Sequence, residues 1–188
     1  MDTKATAKLS LKLALLGSVI FFLGRCGLLS TDLQISSAAD WWFRLAIVAT
    51  IVIGVLALKG KQQGYLTFGE GFKLGGLTTI FLAVLMSLAT WAYMSFVQPT
   101  YAQEYEQKYR DFHYNRMMRT YIGTYWKKDT ITQGAIDTVQ RGLDTNIEKY
   151  TRHLFTVSGQ VQTTFMYAIF WGLLTSLTVM VLARKSRE

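Results

Sequence analysis

The sequence predicts an all-α integral membrane protein: a four-helix bundle with an extramembrane helical hairpin between its third and fourth spans. Two observations support this fold class. Hydrophobic residues make up 51% of the chain, and they are gathered into four blocks, each close to the roughly 20 apolar residues that a bilayer-spanning helix needs. Between the third and fourth blocks lies a long polar segment whose apolar residues recur at helical spacing.

The four apolar blocks are the candidate transmembrane helices. They are Leu9–Leu29, Trp41–Leu58, Leu74–Val97 and Phe165–Ala183. The second block is the shortest, but it lies between a tryptophan pair and Lys59, an aromatic and a basic anchor of the kind found at membrane interfaces. We expect the first block to be retained rather than cleaved, because Arg25 stands where a lipoprotein cleavage box needs a small residue.

The net charge of +8 is concentrated beside these blocks, which indicates membrane topology and attraction to anionic lipid rather than nucleic-acid binding. Lysine and arginine enrich the N-terminal tail, the 59–73 turn and the C-terminal tail, whereas the 30–40 loop carries only acidic charges. Cytoplasmic loops are the basic ones. We therefore predict a multi-pass membrane protein with both termini cytoplasmic.

The four spans and their predicted orientation divide the chain into three parts. Residues 9–97 hold the first three spans with a cytoplasmic amphipathic turn at 59–73, residues 98–164 form an extracytoplasmic hairpin, and residues 165–183 are the fourth span. Two hairpin helices of about 24 residues would each be about 36 Å long, with a break near Gly123 and Lys127–Asp129. We interpret the hairpin's aromatic stripe as its seam: Tyr101, Tyr105, Tyr109 and Phe112.

Small residues recur every four positions in the spans and predict where helices pack. Such rows let helix backbones approach closely in lipid, where burial of apolar surface does not drive association. The predicted packing residues are Gly71, Gly75, Thr79, Ala83 and Ser87 in the third span and Gly172 and Ser176 in the fourth. Packing within one bundle is the favoured interpretation, and a homo-oligomer interface is the alternative.

Arg25, Glu70 and Lys73 are the candidate binding residues, with a lipid headgroup as the ligand. Arg25 is the charge that falls clearly inside a span; it would either snorkel to the headgroups, pair with Asp40, or hold a phosphate. Glu70 follows Thr67 at the spacing of a helix capping box, which explains that spacing without catalysis.

The sequence predicts no catalytic, metal or cofactor site and therefore no enzyme. Spans two to four have no ionisable residue in their interiors, and the chain has no Ser/His/Asp arrangement. Transporters coupled to protons or ions usually keep acids within the membrane. The single cysteine, Cys26, excludes an intramolecular disulfide and a cysteine-based metal cluster, and His113 and His153 are interpreted as solvated side chains.

Three motifs resemble the bacterial membrane family known as domain of unknown function 4199, found mostly in Bacteroidota. They are a basic turn leading into Gly64–Gly75, the run Phe96–Tyr101 after the third span, and a last span that ends in Ala183–Lys185. The resemblance implies a four-span inner-membrane protein with a large extramembrane segment before the last span. It implies no activity, and Val157–Gln160 departs from it where members often have a proline.

The favoured function is a non-enzymatic accessory or scaffold subunit of an envelope complex. Its partners would be the lipid bilayer and an envelope protein bound through residues 98–164. Two alternatives stay open. One is a protein that handles phospholipid or polyprenyl phosphate, which a water-accessible cavity lined by Arg25 would favour. The other is a transporter or channel subunit, which a polar pore on the axis of an oligomer would favour.

Overall fold

The computed structural model describes residues 3–29, 37–125 and 133–183. In those ranges the chain is helical and has no strand, so the all-α prediction is confirmed. The six α-helices are α1 (Thr3–Leu29), α2 (Ser37–Lys61), α3 (Phe68–Ala92), α4 (Tyr101–Tyr125), α5 (Gln133–Asn146) and α6 (Val157–Ala183). Most of the 30–40 loop, the hairpin tip at 127–129 and the basic C-terminal tail lie outside the described residues.

Four of these helices are long and apolar enough to cross a membrane, which confirms a multi-pass membrane protein. The apolar stretches are Lys4–Leu28, Ala39–Lys61, Phe68–Val97 and Val157–Ala183. Each extends beyond the block predicted from hydropathy. Polar residues at the helix ends continue the backbone hydrogen bonding, so hydropathy marks the part suited to lipid and not the end of the helix.

The turn between α2 and α3 occupies only the middle of the 59–73 segment, because both helices extend into that segment. α2 continues to Lys61 and ends where Gln63 and Gly64 take φ values of 55° and 88°. The amide of Gly64 donates to the carbonyl of Lys59 at 3.0 Å, as is usual where a left-handed residue closes a helix. α3 then begins at Phe68, with Thr67 as its N-cap.

The fourth span begins earlier than predicted, so the 164/165 boundary was also wrong. α6 starts at Val157 because the hydroxyl of Thr156 accepts a hydrogen bond from the amide of Gly159 at 3.0 Å. A threonine in this position satisfies one of the free amides at a helix start. Because Ser158 and Gln160 are polar, a hydropathy profile does not show where this helix starts.

The bundle unit consists of residues 1–93 and 161–188. Its core joins buried side chains from all four long helices, among them Phe21, Ile51, Leu82 and Met180. Close helix approach accompanies this core: a Cβ at Gly54 would lie 2.6 Å from a methyl carbon of Leu13. Packing of this kind is what holds helices together in lipid.

The hairpin unit consists of residues 94–160. α4 has 25 residues, as expected, and runs through Gly123 without a break. α5 has only 14 residues and is followed by a π-helical turn, Ile147–Thr151, and a 3₁₀ turn, Arg152–Phe155. The second arm is therefore not the continuous α-helix that its apolar spacing predicted, because that spacing does not distinguish an α-helix from short π and 3₁₀ turns.

Candidate functional site

The predicted packing residues lie on the contact between α3 and α6. A Cβ at Gly75 would lie 2.6 Å from the Oγ of Ser176, and a Cβ at Gly172 would lie 2.5 Å from the Cγ2 of Thr79. Gly71 meets Met180 in the same way. Successive turns of α3 at Gly71, Gly75 and Thr79 are thus each covered by a residue of α6 in the same chain.

The rest of this row is buried as well. Ala83 has no exposed surface, and the hydroxyl of Ser87 donates to the carbonyl of Val161 on α6 at 3.4 Å. The hydroxyl of Ser176 donates to the carbonyl of Gly172 within α6 at 2.7 Å. By contrast, the buried hydroxyl of Thr79 has no hydrogen-bond partner in the part of the chain that the structure describes. Close steric packing between the two helices thus contributes more to this contact than hydrogen bonds between them do.

Arg25 points into the bundle. Its guanidinium donates to the hydroxyl of Thr90 on α3 at 3.2 Å and lies 5.1 Å from the ring centre of Tyr93 and 5.8 Å from that of Phe21. The hydroxyl of Thr90 is also 3.3 Å from that of Thr164 on α6. Arg25 therefore anchors a polar cluster that connects α1, α3 and α6, and it does not pair with Asp40.

Glu70 and Lys73 lie in the first turns of α3. The hydroxyl of Thr67 donates to the carboxylate of Glu70 at 2.8 Å and accepts from the Glu70 amide at 3.4 Å. The amide of Gln62 donates to the same carboxylate at 3.1 Å. Thr67 is therefore the N-cap of α3, as predicted, but the Glu70 carboxylate accepts from the Thr67 hydroxyl and not from the Thr67 amide, as a complete capping box requires.

Glu70 and Lys73 also line one small pocket. Its volume is about 140 Å³, and Thr6 of α1, Leu58 of α2 and Gly69 complete its wall. Thr6 and Arg25 lie at opposite ends of α1, about 28 Å apart along the helix axis. The structure thus brings two of the three candidate headgroup residues together and places Arg25 elsewhere, so the three cannot form one site.

A second arginine inside the bundle was missed, and the prediction that span two has no internal charge was wrong. Arg44 lies on α2 with its guanidinium carbon 5.2 Å from the ring centre of Trp41 and 4.8 Å from that of Trp171 on α6. It falls within the block Trp41–Leu58, next to a pair of tryptophans. The tryptophan pair matches the pattern of an interfacial anchor. Arg44, which follows it directly, was therefore not recognised as a charge within the span.

The hairpin unit has its own seam and its own ion pairs. The Tyr105 and Tyr109 rings pack on Phe155 at 6.0 and 5.4 Å between ring centres. Arg110 of α4 bonds to Asp144 of α5 at 2.6 Å and to Glu106 at 2.8 Å. The hydrogen bond with Asp144, and to a smaller extent that with Glu106, raises the pKa of the Arg110 guanidinium. Arg110 therefore stays positively charged.

The exposed face of this hairpin is basic near the contact of α4 with α5. A Cβ at Gly142 would lie 3.3 Å from the terminal methyl of Met117, which places the two helices side by side at that level. Arg116 and Arg141 are exposed next to these two residues, and Arg119 is exposed one turn further along α4. Among the described residues, no group of three or more His, Cys, Asp or Glu side chains is arranged to hold a metal.

The comparison with protein families gives one match. The model of the family described as "Protein of unknown function (DUF4199)" matches residues 8–185, nearly the whole chain, which confirms the resemblance found in the sequence. No curated protein and no solved structure matches the chain. The family match covers both the bundle and the hairpin, so both are part of what these proteins share.

Proposed function

The chain belongs to the DUF4199 family, and from that premise we propose that it is a non-enzymatic accessory subunit whose hairpin binds a protein partner. The observation that carries this proposal is that residues 94–160 form a compact unit with a core of their own. Val139, Leu143 and Ile147 are each at most 6% exposed. A unit with a buried core and charged residues on its exterior is suited to recognition.

The hairpin is held in one shape before any partner arrives. The Arg110–Asp144 ion pair joins α4 to α5, and Phe155 packs on Tyr105 and Tyr109. A surface that is already ordered loses less conformational entropy on binding than a flexible one. This order supports recognition by the hairpin as a rigid surface.

The exposed arginines indicate the chemistry of the partner. Arg116, Arg119 and Arg141 carry three positive charges near one level of the hairpin. Guanidinium groups form paired hydrogen bonds with carboxylates, and complementary charge steers association. An acidic segment of another envelope protein is therefore the proposed partner. The basic residues beside the spans support placing this hairpin outside a bacterial inner membrane with both termini in the cytoplasm.

The test is affinity purification of the full chain in mild detergent, followed by quantitative mass spectrometry. We compare the wild type with a variant in which Arg116, Arg119 and Arg141 are serine. The matched control replaces Lys108, Lys149 and Arg152, three exposed bases of the same unit, with serine. We expect one acidic protein, present in equal amount with the wild type and the control, to be lost from the arginine variant.

Two results would contradict this function. One is equal recovery of that protein with both variants, since the arginines would then not hold it. The other is the absence of any protein recovered in equal amount to the wild-type chain. A salt titration adds a further check, because an interaction carried by surface charge must weaken as ionic strength rises.

Lipid handling is a second candidate, favoured by the pocket that Glu70 and Lys73 line. A carboxylate and an ammonium at one pocket can hold a polar headgroup at the membrane surface. The test is exchange of fluorescent phospholipid between vesicles that contain the full chain. Lys73→Gln should slow this exchange, whereas Lys61→Gln should not; equal rates in the two variants would exclude this pocket.

A further inference from the structure

The environment of Arg44 is unusual for a charge within a span. Its guanidinium lies between the indole rings of Trp41 and Trp171, at 5.2 and 4.8 Å from their centres. Cation–π contacts of this kind are attractive, but they use the faces of the guanidinium and supply no hydrogen-bond acceptor to its N–H groups. The two indoles therefore position Arg44 without satisfying it.

One donor of Arg44 is buried and unsatisfied. Its Nε is shielded from solvent and finds no acceptor among the described residues. A buried donor without a partner is destabilising, and more so when it belongs to a charged group. Arg44 lies about 7.5 Å inside the end of the apolar stretch that begins at Ala39. The side chain as a whole is only half-buried, so an anionic oxygen supplied by the membrane would pair with its terminal nitrogens rather than with the shielded Nε.

Asp40 stands one helical turn before Arg44, on the same face of α2. Carboxylate and guanidinium groups four residues apart on a helix usually pair. Here Asp40 is exposed, and the described residues contain no cation within 4.0 Å of its carboxylate, because the two tryptophans hold the guanidinium instead. One positive and one negative group are thus displayed side by side without neutralising each other.

We propose that Arg44 and Asp40 bind the headgroup of a zwitterionic phospholipid that carries a primary ammonium. Arg44 lies deeper in the span and takes the phosphate; Asp40 lies nearer the end of α2 and takes the ammonium. The two residues are about 6 Å apart along the helix, a separation that a phosphate and an ammonium joined by two carbons can bridge. The exposed face of Trp41, which is 60% exposed, covers the headgroup from the side.

This arrangement differs from simple snorkelling. A snorkelling arginine extends toward water and needs no particular lipid. Arg44 is held against Trp171 of a different helix, so its position is fixed by the fold. The inference does not depend on the partner proposed for the hairpin, because the two sites share no residue.

The experiment is native mass spectrometry of the full chain released from nanodiscs that contain equal amounts of phosphatidylethanolamine and phosphatidylglycerol. The variants are Arg44→Gln and Asp40→Asn, and Arg152→Gln, at an exposed arginine of the hairpin unit, is the control for loss of one positive charge elsewhere. We expect the wild type and the control to retain one phosphatidylethanolamine. Arg44→Gln should lower retention of both lipids about tenfold, the effect of losing one charged hydrogen bond.

Asp40→Asn is the most informative variant, because an exposed side chain can be changed without disturbing the core. It should abolish the preference for phosphatidylethanolamine and leave phosphatidylglycerol bound at least as well, because a repulsive carboxylate is removed. An unchanged preference in Asp40→Asn overturns the proposal, and so does wild-type retention in Arg44→Gln. Inorganic phosphate added before release should not displace the lipid; displacement would show a site for free anions and overturn the assignment to lipid.

Discussion

Replacing Gly75 with alanine tests whether the contact between α3 and α6 is as close as the structure indicates. The new Cβ would lie 2.6 Å from the Oγ and 2.8 Å from the Cβ of Ser176. The adjacent Gly76 is the matched control, because a Cβ there meets no atom within 4 Å. Both changes gain the same helix propensity, about 1 kcal/mol relative to glycine.

The difference between the two variants isolates the packing cost. Forcing a methyl group into a filled contact typically costs about 1–3 kcal/mol. We therefore expect Gly76→Ala to be as stable as the wild type or more stable, and Gly75→Ala to lie about 1–3 kcal/mol below it. The assay is reversible unfolding in mixed micelles of mild detergent and dodecyl sulfate, followed by circular dichroism.

A second substitution, at Ser176, tests whether this residue is the one that crowds the new Cβ. Ser176→Gly removes both atoms that crowd the new Cβ, and the next atom, the Ser176 Cα, is 3.6 Å away. In the double variant the Gly75→Ala penalty should disappear, which gives a coupling energy of the same size as the penalty. If Gly75→Ala and Gly76→Ala are equally stable, or if the coupling is zero, α3 and α6 do not meet at this position.

Three further predictions concern the helix ends and the hairpin, and the same unfolding assay measures each of them. Thr67→Ala removes the N-cap of α3 and should lower the free energy of unfolding by about 1 kcal/mol, whereas Thr67→Ser should not; equal loss in both would contradict a capping role. Gly64→Ala should cost about 1 kcal/mol, because Gly64 has a φ of 88°; a stabilised variant would contradict this turn. Asp144→Asn should cost less than about 1 kcal/mol and lose its effect at high salt, since this carboxylate is 66% exposed.

The parts of the fold that follow from local sequence were predictable. Hydropathy located the four spans because each holds a long, largely apolar run, and the spacing of Thr67 and Glu70 predicted a cap because its partners are three residues apart. The same reasoning misplaced the start of α6. That start depends on the Thr156 hydroxyl and on polar residues that hydropathy scores as a loop.

The candidate site was harder to predict, because its partners are distant in the chain. Arg25 was identified as an internal charge, but its contact with Thr90 joins positions 65 residues apart, and nothing in the local pattern indicates it. Pairing with Asp40 was one of the alternatives left open for Arg25, beside snorkelling to the headgroups and a phosphate site. Arg44 was overlooked because Trp41 and Trp42 beside it matched the expected interfacial anchor, although Arg44 itself was the stronger signal.

The close contact between α3 and α6 also constrains how the protein is made. Ribosomes deliver α3 before the hairpin segment and α6 last, so the groove along Gly71, Gly75 and Thr79 meets lipid chains while the rest is still being synthesised. Lipid tails must leave that groove when α6 arrives, and the Thr79 hydroxyl gains no hydrogen bond in exchange. During synthesis there is therefore an interval in which the face of α3 along Gly71, Gly75 and Thr79 is not yet covered by α6.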